Sequence, residues 1–360
     1  MKFLHVADLH IGANSSIPGF LERQEAVYDQ IFEAAQEHKV DAVVIAGDIW
    51  HKPVHSPQER DLWLKKLLQY NQCGFKIIQI SGNHDYLEPG HTHLSHITFQ
   101  ADLGRLENVI SADTEIKLYR LKDYLFLLMP DQTFETSEFN QEVARRVKEL
   151  QESSFELPFK GIIVVAHFAV KGCAADTAGA SGQQYQMEKG IEVTDNLPVT
   201  YIALGDLHIQ QRVGPCCYYS GAPIQTRWGE DPEKGGLLVD TDDPDNPTPI
   251  LFQSKPMLTF YEKPEKWPED AFIRFVTDKE PPDDLPEDAY VVVKPSKRPI
   301  LVGSEGGGGE GGGGSDKPNL LENLENYLKE IGCPEEHIEV ALDEAKAMAQ
   351  EKGITLPDSD

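Results

Sequence analysis

The side chains best suited to chemistry in this sequence are Asp8 and His10, Asp48, Asn83 and His84, His167, and Asp206 and His208. They stand in the segments DLH, GD, GNHD, a lone His and GDLH. None of them is a thiolate. A set of imidazoles, carboxylates and one amide oxygen suits borderline-hard divalent ions such as Mn²⁺, Zn²⁺ or Fe²⁺, and it argues against a structural thiolate zinc site. Two such ions about 3.5–4 Å apart need one ligand that reaches both, and a carboxylate has the two oxygens to do so. Asp48, in the middle of the array, is the natural bridge. An ion pair of this kind activates water and takes up charge on the non-bridging oxygens during in-line displacement at phosphorus, so phosphodiester hydrolysis fits the whole set.

Something must bring these distant residues to one place. From Met1 to about Gly90, short apolar runs alternate with longer amphipathic segments: Phe3 to Val6, Leu21 to Glu37, Ala42 to Ala46, Gln58 to Gln69, and Lys76 to Ile80. That order predicts strand, helix, strand, helix, strand, the signature of a layered α/β sheet. Asp8, Asp48 and Asn83 each fall just past a predicted strand, on the carboxyl edge where open α/β sheets bind ligands. Further strands are predicted at Ile116 to Leu118, Tyr124 to Met129, Gly161 to Ala166, Tyr201 to Leu204 and Gly236 to Val239, so the later half reads as a second sheet packed on the first.

Composition bounds the partners. The 360 residues carry 33 Lys+Arg against 60 Asp+Glu, a net charge of −27. A general basic surface for duplex nucleic acid is excluded, and any such contact must be local or shared with a partner. The longest apolar runs are strand-length, far short of the roughly 20 residues that span a bilayer. With no leader-like N-terminus, the expected location is the cytoplasm. Cys73, Cys173, Cys216, Cys217 and Cys333 lack the spacing of a disulfide framework and read as reduced thiols.

Beyond about Gln253 the texture turns Pro-rich and strand-rich (Thr259 to Glu262, Ala271 to Thr277, Ala289 to Val293), which predicts a small appended α/β module. Gly303 to Ser315 has no apolar side chain larger than glycine and predicts a flexible coil. Two amphipathic helices are then predicted over Leu320 to Ile331 and Glu335 to Glu351. Leu320, Leu324, Tyr327, Leu328 and Ile331 recur at helical spacing on the first, Ile338 and Leu342 on the second. Such a pair cannot bury both stripes alone. It either folds back on its own body or docks on another protein. Residues 316–360 hold 4 Lys+Arg and 12 Asp+Glu, a charge of −8 that a basic partner surface would welcome.

The ordered set DxH, GD, GNHD, His and GDxH resembles the calcineurin-like metallophosphoesterases. Within them, MKFLHVADLHIG, AGDIWHKP and ISGNHDY are similar to the SbcD-type nuclease subunit, the bacterial and phage counterpart of the double-strand-break repair nuclease. The resemblance implies an α/β fold, a two-sheet sandwich flanked by helices, with a small α/β cap and a C-terminal helix-loop-helix. It divides the chain into a nuclease domain at 1–253, a DNA-recognition cap at 254–302, a Gly-rich linker at 303–315 and an ATPase-binding segment at 316–360. It implies that Asp8, His10, Asp48 and His208 hold one metal, and Asp48, Asn83, His167 and Asp206 the other. His84 would serve as general acid, and His51 would help position the phosphate. Asp85 would accept a hydrogen bond from His84, or cap backbone amides as turn aspartates do. The implied cofactors are two Mn²⁺ ions, with Mg²⁺ the alternative. The implied partners are DNA ends and single strands, an SbcC-type coiled-coil ABC ATPase at the terminal helices, and a second copy of the chain.

One departure matters. The family carries His at both ends of a GHxH element, where this chain has Asp206. The extra negative charge predicts a second metal site shifted towards Mn²⁺ or Mg²⁺ and away from zinc. Competing readings of the same residues are a phosphatase or other phosphodiesterase, and a catalytically weak scaffold for the ATPase. His91, His93 and His96 read as a third metal site or as loop histidines beside a groove. Lys65-Lys66, Arg145-Arg146 and Lys294 to Arg298 are candidates for phosphate contacts or solvated faces. Leu62, Leu64, Leu67 and Leu68 read as an ordinary helix packing on its sheet, in a region where the family builds a homodimer.

Overall fold

The computed structural model describes residues 1–86, 106–131, 138–152, 158–176, 184–188, 190–194 and 197–293. All belong to one unit, Met1–Ser296. The Gly-rich linker, the two terminal helices with their Leu320 to Leu342 stripe, the histidines at 91, 93 and 96, and Lys294 to Arg298 lie outside the described residues.

The predicted alternation holds closely: β1 (Lys2–Val6), α1 (Phe20–Glu37), β2 (Ala42–Ala46), α2 (Pro57–Tyr70) and β3 (Lys76–Ile80). Strand β2 is buried along its whole length, because both faces of this sheet are covered. Helix α2 starts with Ser56 as N-cap and Pro57 in the first turn; Ser56 Oγ accepts from Glu59 N–H while the Glu59 carboxylate accepts from Ser56 N–H. That reciprocal cap ends the loop that follows β2.

After β4 (Val109–Ala112) come β5 (Lys117–Leu121), β6 (Tyr124–Met129), α3 (Phe139–Glu152), β7 (Gly161–His167), the hairpin β8 (Ala174–Asp176) and β9 (Gln184–Gln186), β10 (Tyr201–Gly205), β11 (Gln211–Gly214) and β12 (Cys217–Tyr219). Next are β13 (Lys234–Asp240) and β14 (Thr248–Phe252), and last β15 (Met257–Phe260), β16 (Phe272–Thr277) and β17 (Tyr290–Val293). The first sheet runs β14-β13-β1-β2-β3-β4 and the second β11-β12-β10-β7-β6-β5. The strand expected at Gly236 to Val239 therefore belongs to the first sheet, not the second: β13 lies antiparallel on β1, with Phe3 opposite Val239. The free edge of β1 is satisfied by a strand more than two hundred residues away in sequence, a non-local pairing with no local signal.

Phe3, Val44 and Ile78 of the first sheet pack on Phe126, Val165 and Tyr201 of the second. Phe3 meets Tyr201 edge-on at 5.4 Å and Phe126 at 6.1 Å. Helices α1 and α2 cover the outer face of the first sheet through Val27, Phe32, Trp63 and Leu67, and α3 covers the second through Val143 and Val147. The order of layers is helix, sheet, sheet, helix. Leu62 and Leu67 are core residues of this packing, while Leu68 is exposed.

The appended module is a parallel sheet β15-β16-β17 with no helix among its described residues. Two of the basic clusters carry ion pairs within the chain. Lys66 is buried against Asp29 at 2.7 Å and Glu25 at 3.0 Å, and Lys65 pairs with Glu25. Arg145 and Arg146 pair with Glu142 on their own helix. Of the two readings the sequence left open, the ion pairs and exposure of Lys65 and Arg145 match a solvated face, whereas Lys66 is a buried partner of α1.

Candidate metal centre

Strands β1, β2 and β3 are parallel, so the loops leaving them share one rim. Pairing continues past the strand ends, with Asp8 N–H donating to Gly47 O, His10 N–H to Asp48 O and Ile11 N–H to Ile49 O. Strands β7 and β10 of the second sheet are also parallel and end at His167 and Gly205. The two rims meet: His167 Nδ1–H donates to Ala46 O at 2.8 Å, and Asp206 N–H donates to Asp8 Oδ1 at 3.0 Å.

The backbone here is unusual. Asp8, His10, Asp48 and Asp206 all have positive φ, at 56°, 46°, 50° and 97°. Such conformations are uncommon outside glycine, Asn, Asp and His being the better-tolerated exceptions, and they concentrate at functional sites. Gly82 is required for a different reason: a Cβ there would collide with Asp48 Oδ1 and come within 2.7 Å of His167 Nε2.

All the ligand residues expected from the sequence converge. His10 Nε2 lies 3.0 Å from His208 Nε2 and 3.5 Å from Asp48 Oδ2, with Asp8 in the same group. His167 Nε2 lies 3.1 Å from Asn83 Oδ1, 3.3 Å from Asp48 Oδ1 and 3.9 Å from Asp206 Oδ1. One oxygen of Asp48 therefore faces each group. The surrounding cavity, about 220 Å³, is lined by His10, Asp48, Asn83, His84, Asp206 and His208 among others.

The site's electrostatics ask for positive charge. Burial pushes Asp8 up to about 6 and raises Asp206. Burial opposes the ionised form of Asp48 too, yet His167, His10 and His84 together hold its carboxyl below the ordinary value. Burial would lower His167, but Asp48, Asp8 and Asp206 hold it well above the ordinary histidine value. Burial holds His10 well below, in the neutral form that binds metals. Asp8 Oδ2 and His10 Nδ1 are buried with no hydrogen-bond partner. Asp8 and Asp48 are buried carboxylates with the half-buried Asp206 beside them, a cluster that is costly unless cations compensate it, and the donor set is that of borderline-hard divalent ions. The residues fit a pair of such ions.

His84 lies beside this group, its ring 4.8 Å from that of His10. Its Nδ1–H donates to His51 O at 2.9 Å, and its backbone N–H donates to Asp48 Oδ1. His51 stacks against His84 at 5.8 Å, and burial holds it down at about 4. Asp85 takes the second of its two expected roles. Its carboxylate accepts from Trp50 N–H at 2.9 Å and Gly82 N–H at 2.7 Å, tying the Asp48 loop to the Asn83 loop. The bond to His84 is not made, because His84 spends its Nδ1 proton on His51.

Sequence reasoning missed Glu230. Its buried carboxylate accepts from His208 Nδ1–H at 2.9 Å, Thr226 N–H at 3.1 Å and Lys234 Nζ at 3.1 Å. This fixes the His208 tautomer, with Nε2 left as the metal-facing nitrogen. Glu230 stands 22 residues beyond His208 with no motif around it, so only the fold brings them together.

The chain is 32% identical over 85 residues to the SbcD subunit of the nuclease SbcCD from Escherichia coli K12, and 34% identical over 86 residues to the DNA double-strand break repair protein Mre11 of Archaeoglobus fulgidus. Each match covers 24% of this chain and about a fifth of the relative. The match to the corresponding SbcCD nuclease subunit of Bacillus subtilis is 25% identical over 253 residues, covering 64% of this chain and 63% of the relative. The profile of the calcineurin-like phosphoesterases matches residues 1–210, a span that takes in every ligand-bearing loop from Asp8 to His208. The chain belongs to the calcineurin-like phosphoesterase family.

Proposed function

We propose that this chain is the nuclease subunit of an SbcCD-type complex, a Mn²⁺-dependent DNA exonuclease and endonuclease that processes ends with a coiled-coil ABC ATPase. The observation that carries the reading is the position of Asp48, with Oδ2 towards His10 and Oδ1 towards His167. Asp8, His10, Asp48 and His208 would hold one ion, and Asp48, Asn83, His167 and Asp206 the other. When bound, the ions supply an activated water and offset phosphate charge.

The chain's own groups do the rest. His84 has its Nδ1 proton committed to His51 O, so Nε2 is the nitrogen available to protonate the leaving oxygen. His51 steadies that ring through its carbonyl. Asp85 keeps the two ligand loops at fixed spacing. Asp206 in place of an imidazole favours Mn²⁺ or Mg²⁺ over zinc. A chain of net charge −27 grips little DNA by itself, so the ATPase would supply most of the duplex contact, docking on Leu320, Leu324, Tyr327, Leu328, Ile331, Ile338 and Leu342. The working form is a homodimer in the cytoplasm.

A Mn²⁺ titration of plasmid nicking and single-strand digestion, with and without the ATPase, tests the reading. Mn²⁺-dependent cleavage of both substrates is expected. Hydrolysis of p-nitrophenyl phosphate alone would mark a phosphatase, and a chain inactive at every Mn²⁺ concentration would mark a scaffold. Removal of residues 316–360 should abolish association with the ATPase while single-strand cleavage persists.

A further inference from the structure

A polyanionic strand entering this cavity meets carboxylates. Asp48, Asp206 and Glu230 all line it, and the clusters at Lys65-Lys66 and Arg145-Arg146 do not. Among the described residues that line the cavity, the one lysine or arginine is Arg227. Its side chain is exposed, with no hydrogen bond or ion pair among the described residues, and its charge reaches the His51 ring.

The backbone that carries Arg227 is held on both sides. Thr226 N–H donates to Glu230 Oε2 at 3.1 Å, and Thr226 O accepts from Asn14 Nδ2 at 2.7 Å. Trp228 packs with Ile17, Phe20, Met257 and Phe272, stacks on Tyr290 at 6.5 Å and lies under the Arg274 guanidinium at 5.1 Å. One neighbour is thus fixed to the metal-ligand network and the other to the three-stranded module. A guanidinium on a fixed base with no protein partner is arranged for an external anion, and its planar fork matches phosphate oxygens. Ala175, Met187 and Leu207 give the same cavity an apolar portion, suited to the sugar or base that accompanies a phosphate.

We infer that Arg227 binds a backbone phosphate of the nucleic acid strand, holding it in the cavity against the surrounding acidic charge. This rests on the nuclease reading above. The contribution is to binding rather than to bond breaking, since Arg227 stands outside both ligand groups.

The test compares wild type, Arg227→Met and Arg227→Lys on a single-stranded oligothymidylate with Mn²⁺, from 50 to 200 mM NaCl. Arg227→Met should raise KM about tenfold with kcat within about threefold, and its plot of log(1/KM) against log[salt] should be shallower by about 0.7, one phosphate contact on a single strand. Arg227→Lys should keep the wild-type slope and recover part of the KM. Calorimetric Mn²⁺ affinity should match in all three, which separates lost phosphate binding from a disturbed ligand set. A wild-type KM and slope in Arg227→Met would overturn this inference alone. A wild type that cleaves no oligonucleotide would overturn it together with the nuclease reading.

Discussion

His84 donates its Nδ1 proton to the main-chain carbonyl of His51, not to a side chain. The ring that faces the cavity is therefore oriented by backbone. His84→Ala should lower turnover by about 10²- to 10⁴-fold, the usual worth of a general acid, and leave Mn²⁺ affinity unchanged. His51→Ala keeps the carbonyl and should cost markedly less. Single-turnover cleavage rates of the two variants, beside calorimetric Mn²⁺ titrations, check the ranking; an equal loss in both would put the His51 side chain itself in the reaction.

Glu230 offers a test of the ligand's support. Glu230→Ala should weaken Mn²⁺ binding by about 10- to 100-fold, because His208 loses the acceptor that fixes its tautomer. Removing the carboxylate also takes one partner from Lys234, whose Nζ donates to His208 O as well. Glu230→Gln keeps an acceptor oxygen and should recover part of the affinity. Calorimetry resolves both changes without reference to catalysis.

Gly82→Ala should be far more damaging than a surface glycine change. The added methyl meets Asp48 Oδ1, the Asp48 backbone nitrogen at 2.6 Å and His167 Nε2 at 2.7 Å, so the Asp48 loop and the His167 ring must both shift. Loss of high-affinity Mn²⁺ binding is expected, whereas Gly74→Ala, which meets no atom within 4 Å and carries only the strain of its positive φ, should leave Mn²⁺ binding unchanged.

His5 makes acid stability measurable. It is fully buried, Nε2–H donates to Leu204 O across the two sheets, and Nδ1 accepts from Tyr201 O–H. Burial holds it down at about 3, against 6.5 in the unfolded chain. Above pH 6.5 it is neutral in both states and its contribution is complete. As pH falls from 6.5 towards 3 only the unfolded chain takes up the proton, so stability declines by about 1.4 kcal/mol per pH unit, or about 3 kcal/mol by pH 4. The difference between wild type and His5→Gln in urea melts with EDTA should show this slope; a difference independent of pH would refute it.

The alternation of strand and helix through Ile80 was legible because β1, β2 and β3 are short apolar runs separated by amphipathic helices. The ligands were legible because Asp, His and Asn stand just past those runs. Three kinds of information were not local. The partner of β1 is β13, chosen by edge satisfaction across the whole chain. Glu230 and Arg227 reach the cavity on a loop without periodic signal. Glu25 and Asp29, the partners of Lys65 and Lys66, come within reach only once α1 packs beside α2, whereas Glu142 stands one helical turn before Arg145 and Arg146. The left-handed backbone at Asp8, His10, Asp48 and Asp206 leaves no trace in residue type beyond tolerance for it.

The proposed ligands are divided between the two sheets: Asp8, His10, Asp48 and Asn83 follow strands of one, while His167 ends a strand of the other and Asp206 and His208 follow its neighbour. Bound ions would therefore tie the two sheets at the rim in addition to the apolar core they share, and loading would be coupled to folding. Each tenfold rise in free ion above the dissociation constant deepens the native state by about 1.4 kcal/mol per site. Chelation would then lower stability as well as remove the chemistry, before any residue is altered.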